Sequence, residues 1–364
     1  MTIYREQEVV PAESIQVFWD WFEKNAVRFR EMLRNNDNIE QQIFVPLAEN
    51  LRTLNAEIFF LLGYKEGQAA ELILTADGNI KNMFLVDELL ARAPQLEDWC
   101  FVGHKQAMEL DNLKISIGEY HFNKDTIFFR PVVHEAYPDL IDLEVIYADH
   151  KEEDINTINQ GIFIFLDNYL GELNFVKNID NIRILPMPED REDLVPVYKL
   201  KDYLVWREKE FVEKYNETTP VPGEENYTVL SATLPEDKML LAVINTEVLQ
   251  WDAKASHPWV GIVSLPFDST LNNGFPDEAA AQLLDDIEKE LTDNLPLEKG
   301  VIHIGRQTVD GTREIFFAAR DFDWLSRVFY HIQQQYLATY EISTEIYKDK
   351  YWRTFDKYRV EEEL

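Results

Sequence analysis

The chain has 364 residues, 46% of them hydrophobic and 13% aromatic, which is enough apolar material for packed cores and more length than one core usually serves, so two domains are expected. Lys and Arg number 35 against 67 Asp and Glu, a net charge of -32, and a field of that sign repels phosphate backbones and anionic lipid headgroups. Nucleic acid and membrane are therefore excluded as expected partners; the plain reading of the charge is solubility, and the sharper one is a face that docks a basic protein, for example a nuclease.

One cysteine, Cys100, rules out an intramolecular disulfide and any multi-cysteine metal site. It lies in Asp98-Trp99-Cys100-Phe101-Val102, a pattern that predicts a buried strand with the thiol as a small core hydrophobe. The start of the chain lacks a basic stretch followed by an apolar run, and no stretch approaches the roughly 18 apolar residues of a membrane span. The expected compartment is the cytoplasm.

Ser14 can cap a first helix carrying Phe18, Trp21, Phe22, Phe29 and Leu33 near helical spacing, and a second helix is expected from Ile39 to Leu54. Strands follow at residues 58–64 and 71–76, then a helix through Phe84, Leu85, Leu89 and Leu90 that Pro94 stops. Further strands are expected at 99–104, 127–134 and 140–147. Asp154 begins a long helix bearing Ile158, Ile162, Phe165, Leu166 and Tyr169, a strand at 181–185 comes next, and a helix at 200–215 closes the half.

Asn216 to Asn226 has one aliphatic residue and two prolines between apolar-patterned regions, so the chain is divided there into residues 1–215, a linker at 216–226 and residues 227–364. In the second half, 227–234 and 239–245 predict a hairpin across Pro235-Glu236-Asp237, 259–265 a strand, and Pro276-Asp277-Glu278 the acidic start of a helix. Residues 301–309 and 313–319 pair across Asp310-Gly311, Asp321 caps another helix, and 340–347 is the last strand. The class is thus α+β. From Trp259 the order is β-α-β-β-α-β, a ferredoxin-like arrangement with an extra N-terminal hairpin, and residues 71–185 can be read in the same order as a related α/β sandwich.

Chemistry-bearing motifs are few. The 13 glycines form neither a P-loop nor a G-x-G-x-x-G turn, so no nucleotide cradle is expected, and no cofactor is expected either. There is no G-x-S-x-G elbow, and Ser231 and Ser264 sit in strand patterns. The runs Glu152-Glu153-Asp154 and Glu189 to Asp193 fall at a helix start and in a Pro-flanked loop, where carboxylates favour the dipole or solvate the turn. His104, His121 and His134 share a strand-rich region with Glu135, Asp139 and Asp142, and Glu119 with His121 at i, i+2 would project from one face of a strand. Imidazole with carboxylate suits zinc, so Glu119, His121 and His134 are the candidate metal ligands of a hydrolase, against the plain reading of surface histidines. Trp19 and Trp21 lie about 200° apart on an ideal helix, so one of them is expected on a second surface; Trp19 and Trp352 are candidate partner contacts.

Trp259-Val260-Gly261-Ile262, Asn273-Gly274-Phe275-Pro276, Gly311-Thr312-Arg313-Glu314-Ile315-Phe316-Phe317 and Tyr351-Trp352 together resemble an uncharacterised bacterial family, number 695 among the domains of unknown function, over roughly residues 225–358. The resemblance implies a fold and no catalytic logic. Some members look like proteins carrying a domain similar to the type-B regulator of ribonuclease E; this chain has no recognisable copy of it. Arg313 and Glu314 are the distinctive charged pair of this stretch. The plain reading pairs Arg313 with a nearby carboxylate; the functional one has its guanidinium bind an anionic group of a ligand or partner. The leading expectation is a non-enzymatic protein-binding or regulatory module, with a metal-dependent hydrolase as the alternative.

Overall fold

The structure, a computed structural model, describes residues 12–215, 226–235, 238–270 and 274–359. The described residues fall into two compact units, one ending at Lys214 and the other running from Tyr215 onward. Residues 216–225 of the expected linker, Glu236 and Asp237 of the expected hairpin turn, and Asn273 lie outside the described residues.

The first unit opens on α1 (Ala12–Asn35), where Phe18, Trp19, Phe22, Ala26 and Phe29 are buried along one stripe while Val17 and Val27 face out. A single π turn (Glu40–Phe44) runs into α2 (Val45–Leu54), which carries Pro46 in its first turn. Three strands follow, β1 (Phe59–Gly63), β2 (Ala70–Thr75) and β3 (Trp99–Gly103), with α3 (Met83–Ala91) crossing between the last two. They form one sheet in the order β1-β2-β3. The first pair is antiparallel and the second parallel, as a helical crossover requires. Gly103 lies so close to α3 that a Cβ there would meet Leu90 at 2.4 Å.

A short hairpin, β4 (Ile115–Ile117) and β5 (Tyr120–Phe122), precedes β6 (Ile127–Val132) and β7 (Asp142–Tyr147). Helices α4 (Ile155–Leu170) and α5 (Glu172–Asn178) then lead to β8 (Asn181–Pro186), and the two-residue β9 (Val195–Pro196) precedes α6 (Leu200–Tyr215). The second sheet has the order β8-β7-β6-β9, with β7 and β8 parallel. Its core joins Phe122, Phe129, Tyr147, Phe165, Leu166 and Leu200. Residues 71–185 therefore do not share one sheet in the expected order. A β-α-β-β-α-β sheet would separate β2 from β3 by a strand, whereas they pair directly and belong to a sheet of their own.

The second unit is built on one antiparallel sheet. Its strands are β10 (Tyr227–Thr233), β11 (Met239–Asn245), β12 (Trp259–Pro266), β13 (Val301–Val309), β14 (Thr312–Ala319) and β15 (Ser343–Lys348), ordered β10-β11-β13-β14-β12-β15. Helix α7 (Glu278–Asn294) is capped by the Asp277 carboxylate, which accepts from Ala280 N–H, and α8 (Phe322–Tyr336) by Asp321, which accepts from Asp323 N–H. Between β13 and β14, Asp310 and Gly311 take φ of 48° and 80°, the left-handed pair that a two-residue hairpin needs.

Ile315 and Phe317 face the helices, with Phe317 edge-on to Phe329 of α8. Phe316 and Ala318 project the other way, into a core with Trp352, Phe355 and Tyr358 from the segment that follows β15. Around β14 both faces of the sheet are therefore covered, while Val229 of β10 and Leu241 of β11 stay exposed.

Candidate functional site

In the first unit the alternation of strand side chains sends Ala70, Leu72, Leu74, Trp99 and Phe101 toward the helices. The same rule puts Phe59, Leu61, Ile73, Cys100 and Val102 together on the other face, beside Glu71. Phe59 is 49% and Leu61 44% exposed, Cys100 is exposed, and Ile73 and Val102 are half-buried. A contiguous apolar face in water is the informative exception to burial, because it marks a surface that gains by being covered. Glu57, Glu66, Glu97 and Asp98 are exposed and lie close to these strands in sequence, Asp98 pairing with Arg30 at 3.0 Å, with Lys65 and Lys105 as the nearest cations along the chain. Cys100 thus corrects the sequence expectation: it is in a strand, but on the open face. Trp99 and Phe101 on either side of it are the ones that pack, Trp99 donating from Nε1 to the Ala26 carbonyl at 3.1 Å.

At the C-terminal ends of β2 and β3 lies a buried ionic network. Glu172, fully buried at the start of α5, accepts hydrogen bonds from Thr75 Oγ1 at 2.6 Å, Gly78 N–H at 2.9 Å and Lys105 N–H at 3.1 Å. His104, with φ of 58° and 3% exposed, places Nε2 at 3.3 Å from Asp87 Oδ1 and Nδ1 at 3.8 Å from Glu172 Oε2. The second distance is an ion pair and not a hydrogen bond. Burial opposes charge on both groups and is outweighed. Asp87 and Glu172 hold the His104 pKa up at about 9, and His104, Thr75 and the two backbone N–H groups pull Glu172 down to about 2. Lys105 bridges Asp77 and Asp167 beside them, at 2.8 Å from the latter. Nearly every polar atom of the network is satisfied from within the unit, which is the chemistry of a clasp between two sheets more than that of a site awaiting substrate.

The expected metal ligands do not gather. Glu119 sits in the β4–β5 turn and not on the strand with His121, and it pairs with Lys151 Nζ at 2.6 Å. His121 Nδ1 lies 2.9 Å from Ser116 Oγ, and His134 Nε2 lies 2.8 Å from Asp142. Among the described residues no three His, Cys, Asp or Glu side chains are placed to hold a metal ion. His104 is clasped by carboxylates instead, and no spacing rule marked it.

The candidate partner contacts also move. Trp19 is 1% exposed, its Nε1 donating to the Leu89 carbonyl at 2.8 Å. Trp352 is fully buried, its Nε1 donating to the His257 carbonyl at 2.8 Å. Both are core anchors and correct the expectation of a partner surface. Trp21, at the other azimuth of α1, is half-buried against Phe18 and Phe29 of its own helix. Trp206, 56% exposed on α6, is the tryptophan that reaches solvent there.

Arg313 is 6% exposed, with Nη1 at 2.6 Å from Asp285 and 3.5 Å from Glu288 on α7. Arg306 reaches the same Glu288 at 2.6 Å. Burial raises the Glu288 pKa against the pull of the two arginines. Glu314, on the opposite face, accepts from Gln307 Nε2, whose Oε1 accepts from Tyr358 O–H at 2.5 Å. The distinctive pair of the sequence is thus divided between two internal networks, one under each cover of the sheet.

No helix among the described residues is long and apolar enough to cross a membrane. No curated protein and no solved structure matches the chain. The six-stranded unit is where a likeness is found: residues 225–358 match the model of the family described as Family of unknown function (DUF695).

Proposed function

We propose that the chain is a non-enzymatic protein-binding module that docks a basic partner through the open face of the three-stranded sheet. The observation that carries this reading is the exposure of Phe59 and Leu61 beside Ile73, Cys100 and Val102, with carboxylates around the rim and a net charge of -32 behind them. Apolar area supplies affinity, and the acidic surround selects and steers a cationic partner. In the second unit, the alternating order of strands and helices from β12 to β15 supports reading the sheet as a ferredoxin-like scaffold with an added hairpin. The stretch 216–226 is taken as the connection between the two units, on its polar, proline-punctuated composition.

The test is a comparative affinity capture from the native lysate with the intact chain and with F59S/L61S, followed by reconstitution of each differential partner from purified components. The expected result is at least one basic protein retained by the parent and lost by the variant, its affinity falling with added salt. Identical sets of partners for the two proteins would reject the reading.

A further inference from the structure

Strand β3 lies at the edge of its sheet, and the phase of its backbone can be read from two hydrogen bonds. Ala70 N–H donates to the Asp98 carbonyl at 2.9 Å and His104 N–H donates to the Leu74 carbonyl at 2.8 Å. In a parallel pair alternate residues address the same neighbour, so the even-numbered positions of this stretch face β2. Trp99, Phe101 and Gly103 then turn their backbone groups to the free side. Two of those groups are already used: Trp99 N–H donates to the Leu96 carbonyl at 3.1 Å, and the Gly103 carbonyl accepts from Gln106 Nε2 at 2.8 Å. Among the described residues nothing meets the Trp99 carbonyl, the Phe101 N–H and carbonyl, or the Gly103 N–H, which form a run along the edge.

Beside the first half of this edge is an open recess of about 640 Å³, walled by Leu90 near the end of α3, by Ala93 and Leu96 in the following loop, and by Trp99, Cys100 and Phe101 of β3 itself. A row of backbone groups with no partner among the described residues, next to a hollow whose lining mixes apolar side chains with Gln95 and Glu97, has the two parts of strand addition, in which main-chain bonds give affinity and a pocket reads alternate side chains. We propose that β3 takes up an extended segment of a basic partner protein as a fourth strand, with one apolar side chain of that segment seated in the recess and Lys or Arg on either side of it.

The charge argues for this occupant. Glu97 is exposed and lines the recess, Asp98 follows it in the chain, and Glu71 lies on the neighbouring strand. Asp98 is met by Arg30 at 3.0 Å, which leaves Glu97 facing outward at the lip. A second copy of this chain would bring another -32 to the same place, so edge-to-edge pairing of two copies is opposed by their own field. The inference rests on the protein-binding reading above and specifies its mode.

The test uses the intact chain to select from a display library of short random peptides, with the enriched peptides then measured singly by fluorescence anisotropy. The expected enrichment is an apolar residue flanked by Lys or Arg. N-methylation of the peptide backbone is expected to weaken binding about tenfold at every second residue and little between, because only alternate amides of an added strand face β3. A93W, which fills the recess from a loop position, is expected to weaken the same peptides about tenfold, with circular dichroism confirming the fold. Peptides that bind but ignore N-methylation and are lost in F59S/L61S would overturn the edge and leave the face reading standing. No enrichment at all, with identical capture by parent and F59S/L61S, would overturn both. Self-association that A93W abolishes would overturn the basic partner in favour of a second copy.

Discussion

Replacement of Glu172 by Gln keeps the shape of the side chain and removes its charge inside the clasp of the first unit. The carboxylate accepts from Thr75 and Lys105 on one oxygen and from Gly78 on the other, so an amide in either orientation turns an NH2 toward at least one N–H donor. A buried donor without an acceptor costs about 1–3 kcal/mol. His104 also loses the charge 3.8 Å away, keeping Asp87. Linkage gives a second measure. His104 is raised from 6.5 to about 9, so the stability it contributes is fully present below pH 6.5 and is lost as pH rises through 9. Glu172 is lowered from 4.5 to about 2, so its contribution is present above pH 4.5 and is lost as pH falls through 2. The His104–Glu172 pairing is common to both shifts and is counted once, at about 2 kcal/mol after allowing for solvent access through Asp87. The expected total for E172Q is about 3–5 kcal/mol, read as a lower urea midpoint for the first unit. The decline of stability between pH 6.5 and 9 is expected to flatten in the variant. A midpoint within error of the parent, or an unchanged slope over that range, would refute the clasp.

G311V is expected to destabilise the second unit by more than about 1 kcal/mol, seen in its thermal midpoint, because φ is 80° and a Cβ would stand 2.9 Å from Ser269 Oγ and 3.0 Å from the Phe267 carbonyl. R313A is expected to cost about 1–3 kcal/mol by leaving Glu288, 12% exposed, with Arg306 as its remaining arginine partner, and R313K to recover part of it; equal stability of all three proteins would mean the pair is idle. Cys100, on the open face, is expected to react with Ellman's reagent in the native state at a rate near that of the unfolded chain, and protection of several orders of magnitude would contradict the exposed placement. Limited proteolysis is expected to cut first between Asn216 and Asn226, on the composition of that stretch, and a first cut inside either unit would count against it.

The second unit was nearly all legible in the sequence because its local signals agree: Asp277 and Asp321 before apolar helical stripes, Asp310-Gly311 between two strand runs. The first unit was legible as elements and not as an assembly. Whether β2 pairs with β3 directly or across another strand is decided by packing such as Gly103 against Leu90, which leaves no periodic trace. The strands β4 and β5, of three residues each, are too short for alternation to register. Cys100 misled because Trp99, Phe101 and Val102 make a continuous apolar run, and such a run cannot tell a strand buried on both faces from one with an apolar face left open. The clasp was invisible for a different reason: Thr75, His104 and Glu172 come from separate elements, Thr75 and Glu172 lying 97 positions apart, and no motif binds them in sequence.

The double covering of β14 within the six-stranded sheet carries a hazard of its own. Ile315-Phe316-Phe317-Ala318-Ala319 is an uncharged, strongly β-forming run of the kind that stacks into cross-β assemblies when bared. It is harmless while α8 shields Phe317 and the Trp352 to Tyr358 segment shields Phe316 and Ala318. Loosening that segment alone, by W352A or by a nick after Lys350, would bare one flank of the run while the ladder remained intact. Such a protein is expected to be lost to insoluble aggregates before it is lost to unfolding, with light scattering rising below the temperature at which circular dichroism changes.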